Sequence, residues 1–266
     1  MILEKTFEKN RAVCMAHVYY GDPSEGFSVK EIKALCESGV DIVEFGIPFS
    51  DPTADGLVFQ RACERALKAG MTPEKAIKGI RKLRRAGIKQ PIVVTSYYNI
   101  IFQIGIEEFV KKIKRAGANA LIVPDLPLEE SSSLLGEGKK QGIKIILLVA
   151  PTTQKKRLKK ILKQAQGFVY LVSVTGVTGS RESMQTKTLE RINQIKKHSK
   201  IPILVGFGIS KPQHAKAVIE AGANGVIIGS AIGRIYEKML GSPEKSLAEI
   251  RKFAMKIKKS CRESVK

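Results

Sequence analysis

The chain has 266 residues, of which 46 are Lys or Arg and 25 are Asp or Glu, a formal charge of +21. Its length suits an α/β barrel, which uses about 250 residues as one unit, so residues 1–266 are expected to form a single domain. The basic excess invites an anionic partner, but it is spread over many segments, without an RNA-recognition signature, zinc-finger spacing or any Trp, which argues for a solvated surface and against a specific nucleic-acid site.

Taken in order, the chain repeats one phrase: a polar, helix-periodic segment ends in Gly, and a short apolar run rich in β-branched residues follows. Gly suits the left-handed residue just past a helix, and near-continuous apolar runs suit strands buried on both faces. The strands are expected at 12–20, 41–46, 91–96, 120–124, 143–149, 168–173, 202–206 and 225–229. Helical periodicity predicts helices over 29–38, 72–85, 106–116, 153–164, 187–198 and 212–221. Additional helices are expected in the first ten residues and in 243–266, the latter with Leu247, Ile250, Phe253, Ala254 and Ile257 on one face. Eight alternating βα units imply a TIM (β/α)8 barrel. The competing doubly wound sheet lacks its dinucleotide fingerprint after the first strand, where Gly21, Asp22 and Pro23 stand instead.

In a barrel the chemistry sits where strands end, which selects a short list of residues. The second strand carries a carboxylate, Glu44, in an otherwise apolar run. Burying an ionised Glu without partners costs several kcal/mol, so Glu44 is either a satisfied ion-pair residue or a functional group. The loop that follows holds Asp51 and Asp55 among Pro48, Pro52 and Gly56, where an Asp also serves as a turn or helix cap. Later strand ends offer the Tyr97–Asn99 corner, Asp125 and Tyr170. Asp125 is read evenly as a site residue or as the cap of a helix beginning near Leu128, and Tyr170 as a site residue or an ordinary core aromatic.

Two small-residue loops follow the seventh and eighth strands, one around Gly206 and Gly208, the other at Gly229 and Ser230. Glycine lets backbone N–H groups approach a phosphate closely, and barrels repeatedly bind phosphate at these two loops. The loop over 174–183 mixes Gly, Thr and Ser, a composition that suits a lid. Cys14, Cys36, Cys63 and Cys261 are scattered without a Cys-x-x-Cys pair, so neither disulfides nor a metal site are expected. With no apolar run of membrane-spanning length and an acidic-bearing N-terminus, the chain reads as soluble and cytoplasmic, with no membrane partner.

The segment Glu44-Phe45-Gly46-Ile47-Pro48-Phe49-Ser50-Asp51-Pro52-Thr53-Ala54-Asp55-Gly56 closely resembles the signature of the tryptophan synthase alpha subunit family. The resemblance spans the whole chain: it includes Gly21-Asp22-Pro23, the strand-six phrase from Tyr170 to Gly179, Gly206-Phe207-Gly208-Ile209 and Gly229-Ser230-Ala231. It implies a TIM barrel that cleaves indole-3-glycerol phosphate into indole and glyceraldehyde 3-phosphate by a retro-aldol step. It also implies that Glu44 is the catalytic acid/base, Asp55 the second catalytic carboxylate and Tyr170 a tyrosine lining the substrate. Thr178 is implied as the lid threonine, and Gly179, Gly208, Gly229 and Ser230 as phosphate-binding positions. The implied partner is a beta subunit in an alpha-beta-beta-alpha assembly, docked where Phe49, Ser50, Asp51 and Pro52 project; pyridoxal phosphate belongs to that subunit, and no cofactor is implied for this chain. The chain departs from the family at Leu57, where many members have Pro, and at His17, Tyr19 and Tyr20, which replace smaller or apolar residues. The alternatives are a free-standing lyase for the same substrate, another phosphosugar barrel enzyme and, less favoured, a basic binding protein on a barrel without activity.

Overall fold

The structure, a computed structural model, describes residues 2–10, 12–172, 181–206 and 208–265, with the backbone alone for 181–185. Among these residues eight parallel strands close into a barrel in sequence order. They are β1 (Val13–Tyr19), β2 (Ile42–Gly46), β3 (Ile92–Thr95), β4 (Ala120–Ile122), β5 (Lys144–Val149), β6 (Val169–Val172), β7 (Ile203–Gly206) and β8 (Gly225–Ile228). Each strand pairs with the next, and β1 closes the ring against β8 through Val13 opposite Gly225 and Met15 opposite Ile227. On the other edge of β1, His17 lies opposite Glu44 of β2.

The helices in chain order are α1 (Ile2–Lys9), α2 (Glu25–Glu37), α3 (Leu57–Lys68), α4 (Pro73–Arg85), α5 (Tyr98–Ile104), α6 (Ile106–Ala116), α7 (Ser132–Gln141), α8 (Lys155–Gln164), α9 (Arg181–His198), α10 (Pro212–Glu220), α11 (Ser230–Glu237) and α12 (Leu247–Glu263). Local chemistry explains several boundaries. The Ser24 hydroxyl accepts from the Phe27 amide at the start of α2, and Thr72 does the same for Lys75 at the start of α4, where Pro73 has no N–H to lose. Gly117 ends α6 at φ +107°, a conformation that costs a side-chain-bearing residue about 1 kcal/mol or more. The barrel and the flanking helices match the sequence reading, apart from α3 and α5, which it did not anticipate, α7, which begins at Ser132 after a 3-10 turn at Leu128–Glu130, and the short α11 that follows β8. The residues of α3 and α5 carry short or small apolar faces, which the periodicity of the sequence did not separate from loop.

Strand alternation divides the apolar residues into two cores. Val13, Met15, Ile42, Val93, Ala120, Ile122, Ile146, Phe168, Leu204 and Ile227 fill the barrel interior. The intervening residues, such as Cys14, Val43, Val94 and Leu121, face the helices and join the larger outer core. Helix α1 stoppers the bottom of the barrel: Leu3 belongs to the interior cluster, and the Phe7 ring sits 6.0 Å from that of Phe168. Helix α12 packs on the outside of the barrel between α2 and α10, against β1, burying Ile250, Ala254, Ile257 and Cys261 with Leu247 and Phe253 half-buried beside them. Its Lys258 ammonium donates to Ala12 O at 2.9 Å and to Asp41 Oδ2 at 2.5 Å. No helix of the described residues is long and apolar enough to cross a membrane.

Candidate active site

The same alternation that packs the interior sends Glu44, His17, Thr95 and Tyr170 inward, one layer above Met15, Ile42, Val93 and Phe168, with Tyr19 a further layer above His17. Glu44 is 2% exposed. Its Oε1 accepts the Thr95 hydroxyl at 2.7 Å and lies 3.3 Å from His17 Nδ1. Its Oε2 has no hydrogen-bond partner among the described residues. Burial pushes this carboxyl up to about 8, against the opposing effect of the Thr95 hydrogen bond and with a smaller contribution from the Asp55 charge. Burial likewise pushes the His17 imidazole down to about 3. The two groups are therefore a neutral pair at neutral pH rather than an ion pair, and Glu44 holds a proton that it can give away.

Asp55 is controlled differently. The loop after β2 carries it over the mouth of the barrel, where the phenols of Tyr19 and Tyr97 both donate to Oδ2 at 2.6 Å. Burial raises its carboxyl above the ordinary value, and the two phenols offset only part of that rise, since a hydrogen bond to the charged form favours that form. The Tyr97 hydroxyl also accepts from the Ala54 amide at 3.0 Å, which fixes the loop backbone beside the carboxylate. Both phenol bonds fall on Oδ2. Tyr170, on β6, feels both carboxylates: burial, then Glu44, then Asp55 raise its phenol well above the ordinary value. Its ring packs against Gly206, where a Cβ would lie 2.6 Å from the ring edge.

At the ends of β7 and β8, Gly208 has φ +41° and Gly229 precedes the first turn of α11. The opening amides of α11 have no carbonyl one turn earlier, so they point an uncompensated donor set and the positive helix end at whatever binds there. A Cβ at Gly229 would come within 2.6 Å of the Phe59 ring and 3.3 Å of His17 Cβ. That close approach brings the α11 start against the carboxylate cluster. The expected lid residue Thr178 and the expected phosphate-binding Gly179 lie outside the described residues. Of the 174–183 stretch, Arg181 onward forms the first turn of α9, so that helix starts earlier than the sequence suggested.

Around the rim, Phe49 is half-buried and stacks on Tyr97 at 5.3 Å and 26°, and Pro52 is buried, whereas Ser50 and Asp51 are exposed. Asp125 is a cap, but of a different helix from the one the sequence suggested. Its two oxygens accept from the Tyr98 amide at 2.9 and 3.1 Å, holding the start of α5. The segment at Leu128 is a short 3-10 turn. Asp22 is buried, its oxygens taken by Arg65 at 2.7 and 2.8 Å and by the Tyr236 hydroxyl. This ties the loop after β1 to α3 and α11.

A family description, "Tryptophan synthase alpha chain", matches residues 3–262. The chain belongs to that family. Among curated tryptophan synthase alpha chains, it is 51% identical over 237 residues to that of Methanocaldococcus jannaschii, covering 89% of this chain and 84% of the relative. It is 40% identical over 260 residues to that of Arabidopsis thaliana, covering 96% and 94%. Among solved structures, a tryptophan synthase subunit alpha from Legionella pneumophila superposes with a TM-score of 0.88 at 30% identity, covering 98% of each chain. A tryptophan synthase complex from Pyrococcus furiosus gives 0.85 at 31%, covering 94% of this chain and 99% of its counterpart.

The departures of this chain from the tryptophan synthase alpha pattern now have positions. Leu57 is the first residue of α3 and 69% exposed, a place where Pro or another residue fits equally because that N–H has no helical partner. Tyr20 faces the helices, stacks on Phe45 at 4.8 Å and donates to Glu25 at 3.0 Å, so its contribution is packing. His17 and Tyr19 face the site. Sequence reasoning noted both as substitutions and missed their partners, together with Thr95. Counting by twos from Met15 along β1 would have aimed His17 and Tyr19 into the barrel mouth.

Proposed function

We propose that this chain cleaves indole-3-glycerol phosphate into indole and glyceraldehyde 3-phosphate, as the alpha component of a tryptophan synthase. The observation that carries the reading is the pair of carboxyls in one mouth, one kept protonated by burial and the other with two phenol hydrogen bonds that favour its ionised form against the effect of burial. Rupture of the carbon–carbon bond requires a proton on the indole ring carbon, which leaves positive charge on the ring nitrogen. Glu44 Oε2 delivers the proton, and Asp55 Oδ1 stabilises the nitrogen. As the bond breaks, the hydroxyl on the adjacent glycerol carbon loses its proton to the Glu44 carboxylate and becomes the aldehyde. Tyr170 lines the substrate between the two acids. The phosphate is anchored by amides at Gly208, Gly229 and Ser230, joined by Gly179, with Thr178 on the covering loop.

The product supports a partner. Indole is small and apolar, and similarity to a tryptophan synthase complex points to a beta subunit that carries pyridoxal phosphate and consumes it. The rim at Phe49, Ser50, Asp51 and Pro52 is the proposed docking surface, in an alpha-beta-beta-alpha assembly in the cytoplasm. The experiment is a cleavage assay with indole-3-glycerol phosphate, with and without the cognate beta subunit. Cleavage that rises on complex formation is expected; a chain that leaves the substrate intact in both conditions overturns the proposal.

A further inference from the structure

His17 is a buried histidine whose two nitrogens have different surroundings. It is 6% exposed, its Nδ1 lies 3.3 Å from Glu44 Oε1, and its Nε2 has no hydrogen-bond partner among the described residues. A buried imidazole nitrogen without a partner costs about 1–3 kcal/mol, and the ring has no freedom to turn away from that cost. It is held between Phe59, at 4.5 Å, and Tyr19, at 5.0 Å. The ring orientation is therefore set by packing, and Nε2 is left buried without a partner among the described residues.

The position of that nitrogen is informative. Nε2 lies 3.0 Å from where a Cβ would stand on Gly46, so it overhangs the end of β2 beside Glu44. The other flank of β1 is β8, and His17 Cβ is 3.3 Å from the Cβ position of Gly229 at the start of α11. Around the barrel the order is the phosphate loop, then His17, then Glu44. A glycerol phosphate whose phosphate sits at Gly229 and whose reacting carbon sits at Glu44 spans the position on β1 that His17 occupies.

We propose that His17 is a further catalytic residue of this site, which carries the proton of the reacting glycerol hydroxyl from Nε2 through Nδ1 to Glu44. This rests on the cleavage reading above and removes a geometric difficulty in it, because one carboxyl there serves both a ring carbon and a hydroxyl on the neighbouring carbon. In the resting enzyme Nδ1 carries the hydrogen and faces Glu44 Oε1 at 3.3 Å, beside the Thr95 hydroxyl, which leaves the acid proton on Oε2. Glu44 gives that proton to the ring carbon and becomes a carboxylate. The carbon–carbon bond breaks, its electron pair returns to the indole ring, and the hydroxyl proton passes to Nε2 while Nδ1–H passes to Glu44 Oε1. Glu44 is then protonated again, His17 is neutral in its other tautomer, and the substrate has lost no net proton. Exchange with solvent after product release restores the starting tautomer. A neighbouring carboxylate favours protonated imidazole, so the ring, a poor base at rest, gains basicity at the moment Glu44 ionises.

Three variants and one spectroscopic measurement test the relay. His17→Phe keeps a ring between Phe59 and Tyr19 and removes both nitrogens. His17→Asn restores a donor near Nδ1 without an acceptor at Nε2. Both are expected to lower kcat for indole-3-glycerol phosphate by about 10²-fold or more with KM changed less than about threefold. Either variant turning over at the wild-type rate overturns the relay. Nitrogen NMR of the wild-type protein with labelled histidine, His17 being assigned by its loss in His17→Phe, is expected to give a neutral Nδ1–H tautomer at neutral pH; a neutral Nε2–H tautomer or an imidazolium overturns it independently of any variant. Wild-type protein and Glu44→Gln separate the two levels. Wild-type protein that leaves the substrate intact refutes the cleavage reading itself. Cleavage that is lost in Glu44→Gln but unchanged in His17→Phe refutes the relay alone.

Discussion

Glu44→Gln is expected to inactivate the protein and, at neutral and alkaline pH, to stabilise it. Burial moves the Glu44 carboxyl from an ordinary 4.5 up to about 8, whereas in the unfolded chain it keeps a value near 4.3. The folded-state value lies above the unfolded one, so between the two the folded protein binds more protons than the unfolded chain. Stability is therefore lost progressively as pH rises through that window. At about 1.4 kcal/mol per pH unit, the loss reaches about 3–4 kcal/mol at pH 7 and approaches about 5 kcal/mol above pH 8. Gln does not titrate, has nearly the same shape, and its carbonyl accepts the same Thr95 hydroxyl. Urea unfolding of both proteins at several pH values should give nearly coincident midpoints near pH 5 and a variant that is increasingly the more stable one towards pH 8. A stability difference that stays constant across this range, or a variant less stable at pH 8, would refute the assignment of Glu44 as a buried, proton-holding acid. In the cleavage assay the same substitution should cost about 10²–10⁴-fold in kcat.

Tyr19→Phe removes one of the two phenol hydrogen bonds that favour ionised Asp55, so the acidic limb of the pH–rate profile should move to higher pH; an unmoved limb would show that Tyr97 alone sets Asp55. Gly229→Ala places a methyl against Phe59 and His17 and disturbs the amides at the start of α11. Losing one hydrogen bond to a charged group is worth about 1.5–3 kcal/mol, so inhibition by inorganic phosphate should weaken about tenfold or more, and unchanged inhibition would move the phosphate elsewhere. Lys258→Met leaves half-buried Asp41 without its cation and should lower unfolding stability by about 1.5–3 kcal/mol, read from the urea midpoint, with kcat unchanged in the folded protein.

The barrel was legible because its strands are buried on both faces and its helices end in glycine, so strand and helix announce themselves by two different periods. Glu44 was legible for the opposite reason: it breaks the apolar pattern of its own strand. The parts that escaped depend on distance along the chain. Thr95 meets Glu44 across 51 residues, and that contact follows from register, which composition does not state. Asp125 looked like the cap of the nearest helix and instead holds the Tyr98 amide, 27 residues earlier, because β3 and β4 end side by side. Helix α3 buries Ala62, Cys63 and Ala66, a stripe too small to register as an apolar face, and it is small because Tyr19 and Phe59 occupy the space between helix and barrel.

The stopper formed by Leu3 and Phe7 makes the barrel a cul-de-sac. Below the level of Glu44 the channel is filled by Met15, Ile42, Val93, Phe168 and Ile227, and α1 shuts the far end. A small apolar product released beside Glu44 has no route downward, so it leaves by the way the substrate entered. Every departing molecule then leaves by the mouth, one sector of whose rim carries the exposed Ser50 and Asp51 beside Asp55. Any protein seated on that rim meets the product before the solvent does, and its fit alone decides whether the traffic is passed on or lost.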